Sequence, residues 1–457
     1  MRFELPSFVL EILKKFQDKG FEIYIVGGAV RDLLSGRIVN DWDFTTNAQP
    51  TEILKIFPDG FYDNVFGTVG ISHESSENPY EITTFRREYG YSDSRRPDKI
   101  EWGKTLEEDL QRRDFTINAM ALGRVKGKRV KGESAINLND YYDGQLDLKN
   151  KLIRAVGDPN ERFSEDALRM MRGVRIAAEL GFTIEEKTFE AIKLNVKLID
   201  KIAKERVGDE FLKLLASAYP YEGMLILRNT GLMEELLPEV EQSFGVEQKS
   251  PGRHHIYDVG THSLLSLKYV ADKNSDPIVR LATLIHDAGK PLTVKKLDTG
   301  VITFYNHEVI SGRIAKQIAT RLRLSKKQAE KLYRLVRYHQ FTVNEKQTDS
   351  ALRRFIRNVG AENVADMIDL RVGDRLGGGA RETSWRLEEF KKRLVEVQKQ
   401  PFTVRDLKIS GHDVMRELGI KPGPTVGRVL KKLYDEVVEK KIENTKSALS
   451  ESLKKMK

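Results

Sequence analysis

The sequence predicts an α+β protein, with a head of mixed strands and helices in the first third and helices from there to the end. Two observations predict this. Before residue 150, short runs rich in β-branched and aromatic residues alternate with glycine and polar turns, as in Phe21-Glu22-Ile23-Tyr24-Ile25-Val26 and Tyr80-Glu81-Ile82-Thr83-Thr84-Phe85, the signature of strands. From Asp158 onward the apolar residues recur at helical spacing. At 457 residues the chain is also too long for one core, so two to four domains are expected.

Composition narrows the class. Hydrophobic residues make up 40% and charged residues 32% of the chain, a soluble globular balance with no apolar run long enough to span a membrane. Met1-Arg2-Phe3-Glu4-Leu5-Pro6 lacks the apolar core of a signal peptide. With no cysteine there is no disulfide or thiolate metal site, which fits a reducing cytoplasm. A net charge of +9 points to a polyanionic partner.

A lead-in helix is expected over residues 7–19, where Phe8, Val9, Ile12, Leu13 and Phe16 share a face. The strand at 21–26 then runs into Gly27-Gly28, a tight turn, and Ala29 to Leu34 reads as the start of a helix. Glycines between a strand and a helix offer free N–H groups and a positive helix end to a phosphate. Asn40-Asp41-Trp42-Asp43-Phe44 follows. On a strand, Asp41 and Asp43 would point to one face, and paired carboxylates beside a phosphate cradle suit Mg²⁺. Two such ions activate an attacking oxygen and steady a leaving one in phosphoryl transfer. Either motif alone is commonplace; their order and closeness make the combination informative.

Residues 63–72 and 80–85 read as a hairpin, with Glu81 either a third acidic group beside the pair or a solvent-facing residue. Arg86 to Asp98, with four arginines, two tyrosines, Gly90 and Pro97, reads as a substrate-ordering loop. In Arg112-Arg113-Asp114-Phe115-Thr116-Ile117-Asn118-Ala119, Arg113 is a candidate phosphate partner and Asp114 a candidate acceptor from a ribose hydroxyl. Asp166, Arg169, Arg172 and Arg175 are spaced by three and fall on one helical stripe; Leu168, Met171 and Val174 supply the opposite, core-facing side. An Asp and an Arg held side by side can read the edge of a base.

These blocks, in this order, resemble the class II tRNA nucleotidyltransferases, the CCA-adding enzymes, and the related bacterial poly(A) polymerases. The resemblance covers about residues 1–220 and resumes at Ile409-Ser410-Gly411-His412-Asp413-Val414 and Lys421-Pro422-Gly423-Pro424. It implies a polymerase-β-like nucleotidyltransferase head (1–150), then an all-α neck (151–225), body (226–390) and tail (391–457). It implies Mg²⁺ on Asp41 and Asp43, phosphate and sugar contacts from Gly27, Gly28, Arg31 and Arg113, base pairing by Asp166 and Arg169, and support from Arg172 and Arg175. The substrates implied are CTP, ATP and tRNA. The long loop at 86–97 argues against an enzyme that adds only CC, while A-only addition and poly(A) synthesis stay open as alternatives. Trp42, bulkier than the family's usual aliphatic residue, is expected to face away from the metals into packing.

A second constellation lies between 250 and 380. His262, His286-Asp287, His307, His339 and Asp374 follow one another on helical runs, with His254-His255 just upstream. Imidazole and carboxylate together suit divalent transition metals. This order resembles the HD phosphohydrolase superfamily, and the resemblance implies a metal-dependent phosphodiesterase or phosphatase acting on RNA ends. A domain kept only for packing is the alternative. Another reading makes the HD site the only enzyme and the head an RNA-binding module. Basic residues at Lys326-Lys327, Lys331, Arg334, Arg337, Lys431-Lys432, Lys440-Lys441 and Lys454-Lys455 are expected to neutralise RNA phosphates along the body and tail, many of them being simply solvated faces.

Overall fold

The structure is a computed structural model and describes residues 4–62, 67–74, 79–90, 99–130, 133–248, 256–344, 347–398, 404–439 and 441–456. Two compact units emerge. The first comprises Met1–Phe244, Ser275–Arg280 and Gln317–Ser325; the second comprises Gly245–Asn274, Leu281–Lys316 and Lys326–Lys457.

The first unit begins with α1 (Ser7–Asp18), β1 (Ile23–Val26), α2 (Gly28–Leu34), β2 (Asp43–Thr46), α3 (Pro50–Ile56), β3 (Phe61–Tyr62), β4 (Thr68–Ile71) and β5 (Tyr80–Thr84). Then come β6 (Arg86–Tyr89), β7 (Lys99–Trp102), α4 (Leu106–Gln111), β8 (Met120–Val130), β9 (Glu133–Asp140) and α5 (Gly144–Asn150). Seven strands form one mixed sheet in the order β3-β4-β5-β2-β1-β8-β9. β2 runs parallel to β5 and antiparallel to β1. One face of the sheet is covered by α1, whose Val9, Ile12, Leu13 and Phe16 are buried with Ile23, Ile25, Phe44 and Ile82. That packing follows from the apolar period of the helix meeting the alternation of the strands.

The expected hairpin is present as β4 and β5, with Ile71 opposite Tyr80; residues 63–66 and 75–78 lie outside the described residues. The stretch expected as a loop is partly strand. β6 and β7 pair antiparallel, with Arg86 opposite Trp102 and Tyr89 opposite Lys99, because the apolar alternation at Ile100 and Trp102 supports an extended pairing. Residues 91–98 lie outside the described residues, as do His254, His255 and Lys440. Trp42 is 6% exposed and packs edge-on against Phe8, ring centroids 6.3 Å apart, within the core as expected.

Helices take over with α6 (Pro159–Glu165), α7 (Leu168–Leu180), α8 (Glu186–Asn195), α9 (Lys204–Ala216), α10 (Pro220–Thr230), α11 (Leu232–Leu236) and α12 (Pro238–Glu241). The stripe expected on a single helix is broken at its first member. Asp166 sits between α6 and α7 in extended backbone, and its Oδ1 accepts from the Leu168 N–H at 3.0 Å. An aspartate in that role competes with helical continuation and starts a new helix instead. Leu168, Met171 and Val174 are buried as expected. α10 packs on α7 and α9, and residues 226–244 cluster with the first unit rather than with the residues that follow.

The remaining helices are α13 (Val259–Ala271), α14 (Pro277–Ile285), α15 (His307–Arg321), α16 (Lys326–Tyr338), α17 (Asp349–Val359), α18 (Val364–Gly377), α19 (Trp385–Gln398), α20 (Gly411–Leu418), α21 (Pro424–Val438) and α22 (Lys446–Lys454). In the second unit α18 lies so close to α13 that a Cβ on Gly373 would meet Val270 Cγ2 at 2.2 Å and one on Gly377 would meet Ser266 Oγ at 2.2 Å. Near the end, Ser410 and Asp413 form a capping box on α20, and Pro424 occupies the first turn of α21. Both are stop-and-start devices legible in the sequence. Among the described residues no helix is long and apolar enough to cross a membrane.

Candidate functional site

In the first unit the sheet register assembles the site. Val26, the last residue of β1, pairs with Asp43, the first of β2, and Asp43 lies beside Glu81 on β5. The Gly27-Gly28 turn therefore emerges next to the acidic strand end. Gly27 has φ 72°, a left-handed conformation that glycine adopts without cost. A Cβ there would stand 3.4 Å from Arg113 Nη1 and 3.5 Å from Asp43 Oδ2, and one on Gly28 would stand 3.4 Å from Arg31 Nη2. Backbone, two arginines and a carboxylate thus converge. α2 has only seven residues, so its dipole is small and the arginines carry most of the positive field.

Asp41 precedes β2 rather than lying on it and is exposed, whereas Asp43 is half-buried. The expected common strand face is therefore replaced by a strand end and the turn before it. Burial first, then the neighbouring Asp41, pushes the Asp43 carboxyl up to about 6 against the pull of Arg113. Two carboxylates and Glu81 crowding one spot make a site that gains from a divalent cation. Glu81 is exposed beside Asp43.

The arginines are held by partners that sequence reasoning missed. Asp109 on α4 is fully buried and accepts from Arg112 Nη2 at 2.6 Å, Arg113 Nη2 at 3.3 Å and the Thr45 hydroxyl of β2 at 3.1 Å. Burial works against its ionisation, but the two arginines keep its carboxyl below the usual range. The spacing of Asp109 three and four residues before Arg112 and Arg113 was a readable signal. Arg31 forks onto Asp32 (3.0 and 3.1 Å) and donates to Asn118 Oδ1 at 3.0 Å.

Asp114 is held by several partners. Its Oδ1 accepts from Phe115 N–H (2.8 Å) and Asn118 Nδ2 (3.1 Å), and its Oδ2 accepts twice from Arg172 (2.8 and 2.9 Å). Burial is overridden by Arg172, which holds the carboxyl down at about 2. Both Asp114 oxygens thus already accept hydrogen bonds from within the chain. Arg172 is spent on Asp114, and Arg175 on Glu210 (2.5 Å) and Glu179 (2.7 Å).

Asp166 and Arg169 are neighbours across the start of α7. Asp166 Oδ2 accepts from Arg206 Nη2 of α9 at 2.9 Å. Arg169 donates to the Arg112 carbonyl (2.9 Å), the Arg162 carbonyl (3.1 Å) and Glu165 (2.5 Å). The pair is thus tied to the segment carrying Arg113. Arg206 lies forty residues from Asp166 in sequence, and no local pattern announced it.

The second unit gathers its expected residues completely. His262 lies on α13, His286-Asp287 directly after α14, His307 at the start of α15, His339 directly after α16 and Asp374 on α18. Asp374 reaches His262 at 3.2 Å because Gly373 and Gly377 let the two helices touch. All four histidines and Asp287 are at most 6% exposed. His262, His286 and Asp374 form one group able to hold a metal, and His286, Asp287 and His339 another. Although burial disfavours the imidazolium, Asp287 and then Asp374 raise His286 to about 10. Several of the basic residues read as RNA-facing also form ion pairs within the chain: Lys331 with Asp366, Arg334 with Glu330 and Arg337 with Glu308.

Comparison with known proteins follows the same division. Family models match for the poly A polymerase head domain over residues 23–154, for a "Probable RNA and SrmB-binding site of polymerase A" over 181–244, and for tRNA nucleotidyltransferase domain 2 over 309–453. The chain is 36% identical over 450 residues to a CCA-adding enzyme of Ligilactobacillus salivarius, covering 98% of this chain and 96% of that one. It is 32% identical to one from Pediococcus pentosaceus, covering 97% and 96%. A solved structure of the Bacillus stearothermophilus CCA-adding enzyme in complex with CTP superposes with a TM-score of 0.68 at 27% identity, covering 99% of this chain and 98% of that one.

Proposed function

Because the chain belongs to the CCA-adding enzyme family, we propose that it builds the CCA 3′ end of tRNA from CTP and ATP without a nucleic-acid template. The terminal ribose hydroxyl of the RNA attacks the α-phosphorus of the bound nucleotide, the bond to the β-phosphate oxygen breaks, and pyrophosphate leaves. The observation that carries this is the convergence of Asp43, Arg113 and the Gly27 backbone within 3.5 Å of one position.

In this reading Asp41 and Asp43 hold Mg²⁺, which when bound neutralises charge developing on the phosphoryl group. The donor set fits, since hard oxygen ligands crowded at one strand end are what Mg²⁺ takes. Gly27, Gly28, Arg31 and Arg113 receive the triphosphate. Asp166 and Arg169 select the base, and Asp114, Arg172 and Arg175 hold the platform behind them. Head, neck, body and tail at 1–150, 151–225, 226–390 and 391–457, and a cytoplasmic location, belong to the same proposal.

The test is incubation with Mg²⁺ and a tRNA ending at its discriminator base, with CTP alone, ATP alone or both. Sequential C, C and A only when both are present is the expected product ladder. A added only to tRNA already ending in CC assigns an A-adding enzyme, and long A tails on any RNA assign a poly(A) polymerase.

Two further results are expected here. Ionisation of Asp43 costs the ion-free protein stability as pH rises from about 4 through about 6, because its carboxyl is raised in the folded state. Mg²⁺ binds the ionised form and offsets that cost. The rise in melting temperature on adding Mg²⁺ should therefore be full at pH 7.5 and vanish by pH 5, and Asp43→Asn should lack it at every pH. Arg206→Ala, which frees the Asp166 carboxylate to swing, should lower discrimination for CTP and ATP over UTP and GTP by about tenfold, the scale of one charge-assisted hydrogen bond of about 1.5 kcal/mol. Competition assays with all four nucleotides read it, and Arg206→Lys should recover part of the loss.

A second reading is favoured by the six-residue cluster of the second unit. We propose that His262, His286, Asp287, His307, His339 and Asp374 hold divalent transition metal for an HD-type phosphohydrolase activity. Hydrolysis of phosphate esters that disappears in His286→Ala tests it, and hydrolysis unchanged in that variant eliminates it.

A further inference from the structure

We infer that Arg37 and Ile38, on the segment leading from α2 to Asp41, receive the 3′-terminal nucleotide of the RNA, Ile38 against its base and Arg37 on its phosphate; the inference rests on the nucleotidyltransferase reading of the first unit. Ile38 is 84% exposed, more than any other large apolar residue among the described residues, with Leu194 next at 78%. A single exposed apolar residue is ordinary on a protein surface. What sets this one apart is how it is held and what lies beside it.

Both flanks are fixed. α2 closes on Gly36, whose φ is 67°. The Gly36 N–H donates to the Leu33 carbonyl at 3.2 Å and the Arg37 N–H to the Asp32 carbonyl at 2.8 Å, the paired bonds of a glycine-terminated helix. The Ser35 hydroxyl donates to the Arg31 carbonyl at 2.8 Å. On the other side Val39 packs against the head core and Trp42 is buried in it. Ile38 therefore stands in solvent on a segment tied at both ends, at an outward position that is ordinarily polar. Arg37 is exposed as well and donates to the Glu179 carbonyl at the end of α7 at 3.5 Å. A bond that long is at the limit of the range, and a charge-assisted bond to phosphate would displace it.

Position assigns the ligand. Gly27, Gly28, Arg31 and Arg113 gather at the turn between β1 and α2, where the triphosphate is received. In an in-line displacement the attacking and leaving oxygens stand on opposite sides of the phosphorus. With pyrophosphate leaving toward that turn, the attacking strand comes in past Asp41, the exposed member of the acidic pair. Ile38 lies three residues before Asp41, a reach of at most about 10 Å of chain.

The residue type fits the task. The nucleotide received there changes with every addition: the discriminator base, then C, then a second C. A side chain that hydrogen-bonded one base edge would favour one of these ends and stall on the others. An apolar side chain is indifferent, because every base offers a flat face.

The test varies RNA at saturating nucleotide, and nucleotide at saturating RNA, on tRNA ending at the discriminator base, in C and in CC. Ile38→Ser should raise KM for RNA by about tenfold on all three ends, the scale of one lost base contact, with KM for the nucleotide within about twofold of the parent. Ile38→Leu should recover most of that loss. Arg37→Met should also raise KM for RNA and make its dependence on salt shallower by about 0.7 in the log–log slope, the value for one single-strand phosphate. Unchanged KM for RNA in Ile38→Ser, a KM for nucleotide that rises in step with it, or an effect confined to one of the three ends overturns the role of Ile38. An unchanged salt slope in Arg37→Met overturns the phosphate contact. A parent chain that incorporates no nucleotide on any end overturns the nucleotidyltransferase reading itself, a result distinct from all of these.

Discussion

Asp41→Ala should lower nucleotide incorporation by about 10³-fold while leaving tRNA binding within about twofold, because removing one electrostatic partner of the transition state costs on that scale and RNA affinity comes mainly from phosphate contacts elsewhere. Asp41 is exposed ahead of β2, so its removal leaves the core untouched. The loss should fall on kcat, with KM for CTP little changed, as expected when an interaction matters chiefly in the transition state. Single-turnover incorporation and filter binding separate the two quantities. Full activity in this variant overturns the assignment of the acidic pair.

Asp109→Ala should be the most destabilising single change in the first unit. The residue is fully buried, and Arg112 and Arg113 are only 16% and 18% exposed in their side chains. Removing the shared carboxylate leaves two guanidinium groups with their main counter-charge gone and the Thr45 hydroxyl without its acceptor there. Breaking a buried charge pair from one side costs about 3–5 kcal/mol, which lowers the melting temperature of a unit this size by about 10 °C. Activity should fall as well, since Arg113 loses the anchor that aims it at Asp43. Thermal unfolding followed by circular dichroism reads the first effect. A melting temperature within 2 °C of the parent sinks the claim that Asp109 holds the arginines.

Asp109 also marks the limit of what a sequence displays. Its spacing to Arg112 and Arg113 is local and was available, but nothing in a linear pattern distinguishes an exposed helical ion pair from one wholly removed from water. Asp114 carries the same lesson in reverse. Beside Arg113 it read as a group for substrate, and nothing local announced that Arg172, fifty-eight residues on, also bonds to its second oxygen. Spacing by three across Asp166 to Arg175 suggested one continuous stripe. The extended backbone at Asp166 cut it, because a side chain able to cap the following helix competes with staying inside one. The six metal-type residues of the second unit were legible because imidazole and carboxylate in such numbers are rarely needed for packing. Their meeting in two groups that share His286 was not legible, since it depends on how the helices carrying them pack.

By itself the sequence determined the elements and the chemistry available to them: strand, glycine turn and acidic pair in the head, helices after it, and a reserve of histidines on later helices. These follow from local rules, namely residue period, the conformational freedom of glycine and the pKa classes of side chains, all of which act within a few residues. Only the tertiary structure decided which charges are consumed internally and which remain for a ligand. Val26 pairing with Asp43 brings the turn to the carboxylate, Arg206 reaches Asp166 from a distant helix, and Gly373 and Gly377 let Asp374 approach His262. Each is a contact between segments whose separation in sequence carries no information about their distance in space, so the burial and pairing that set a side chain's role exist only once the chain is folded.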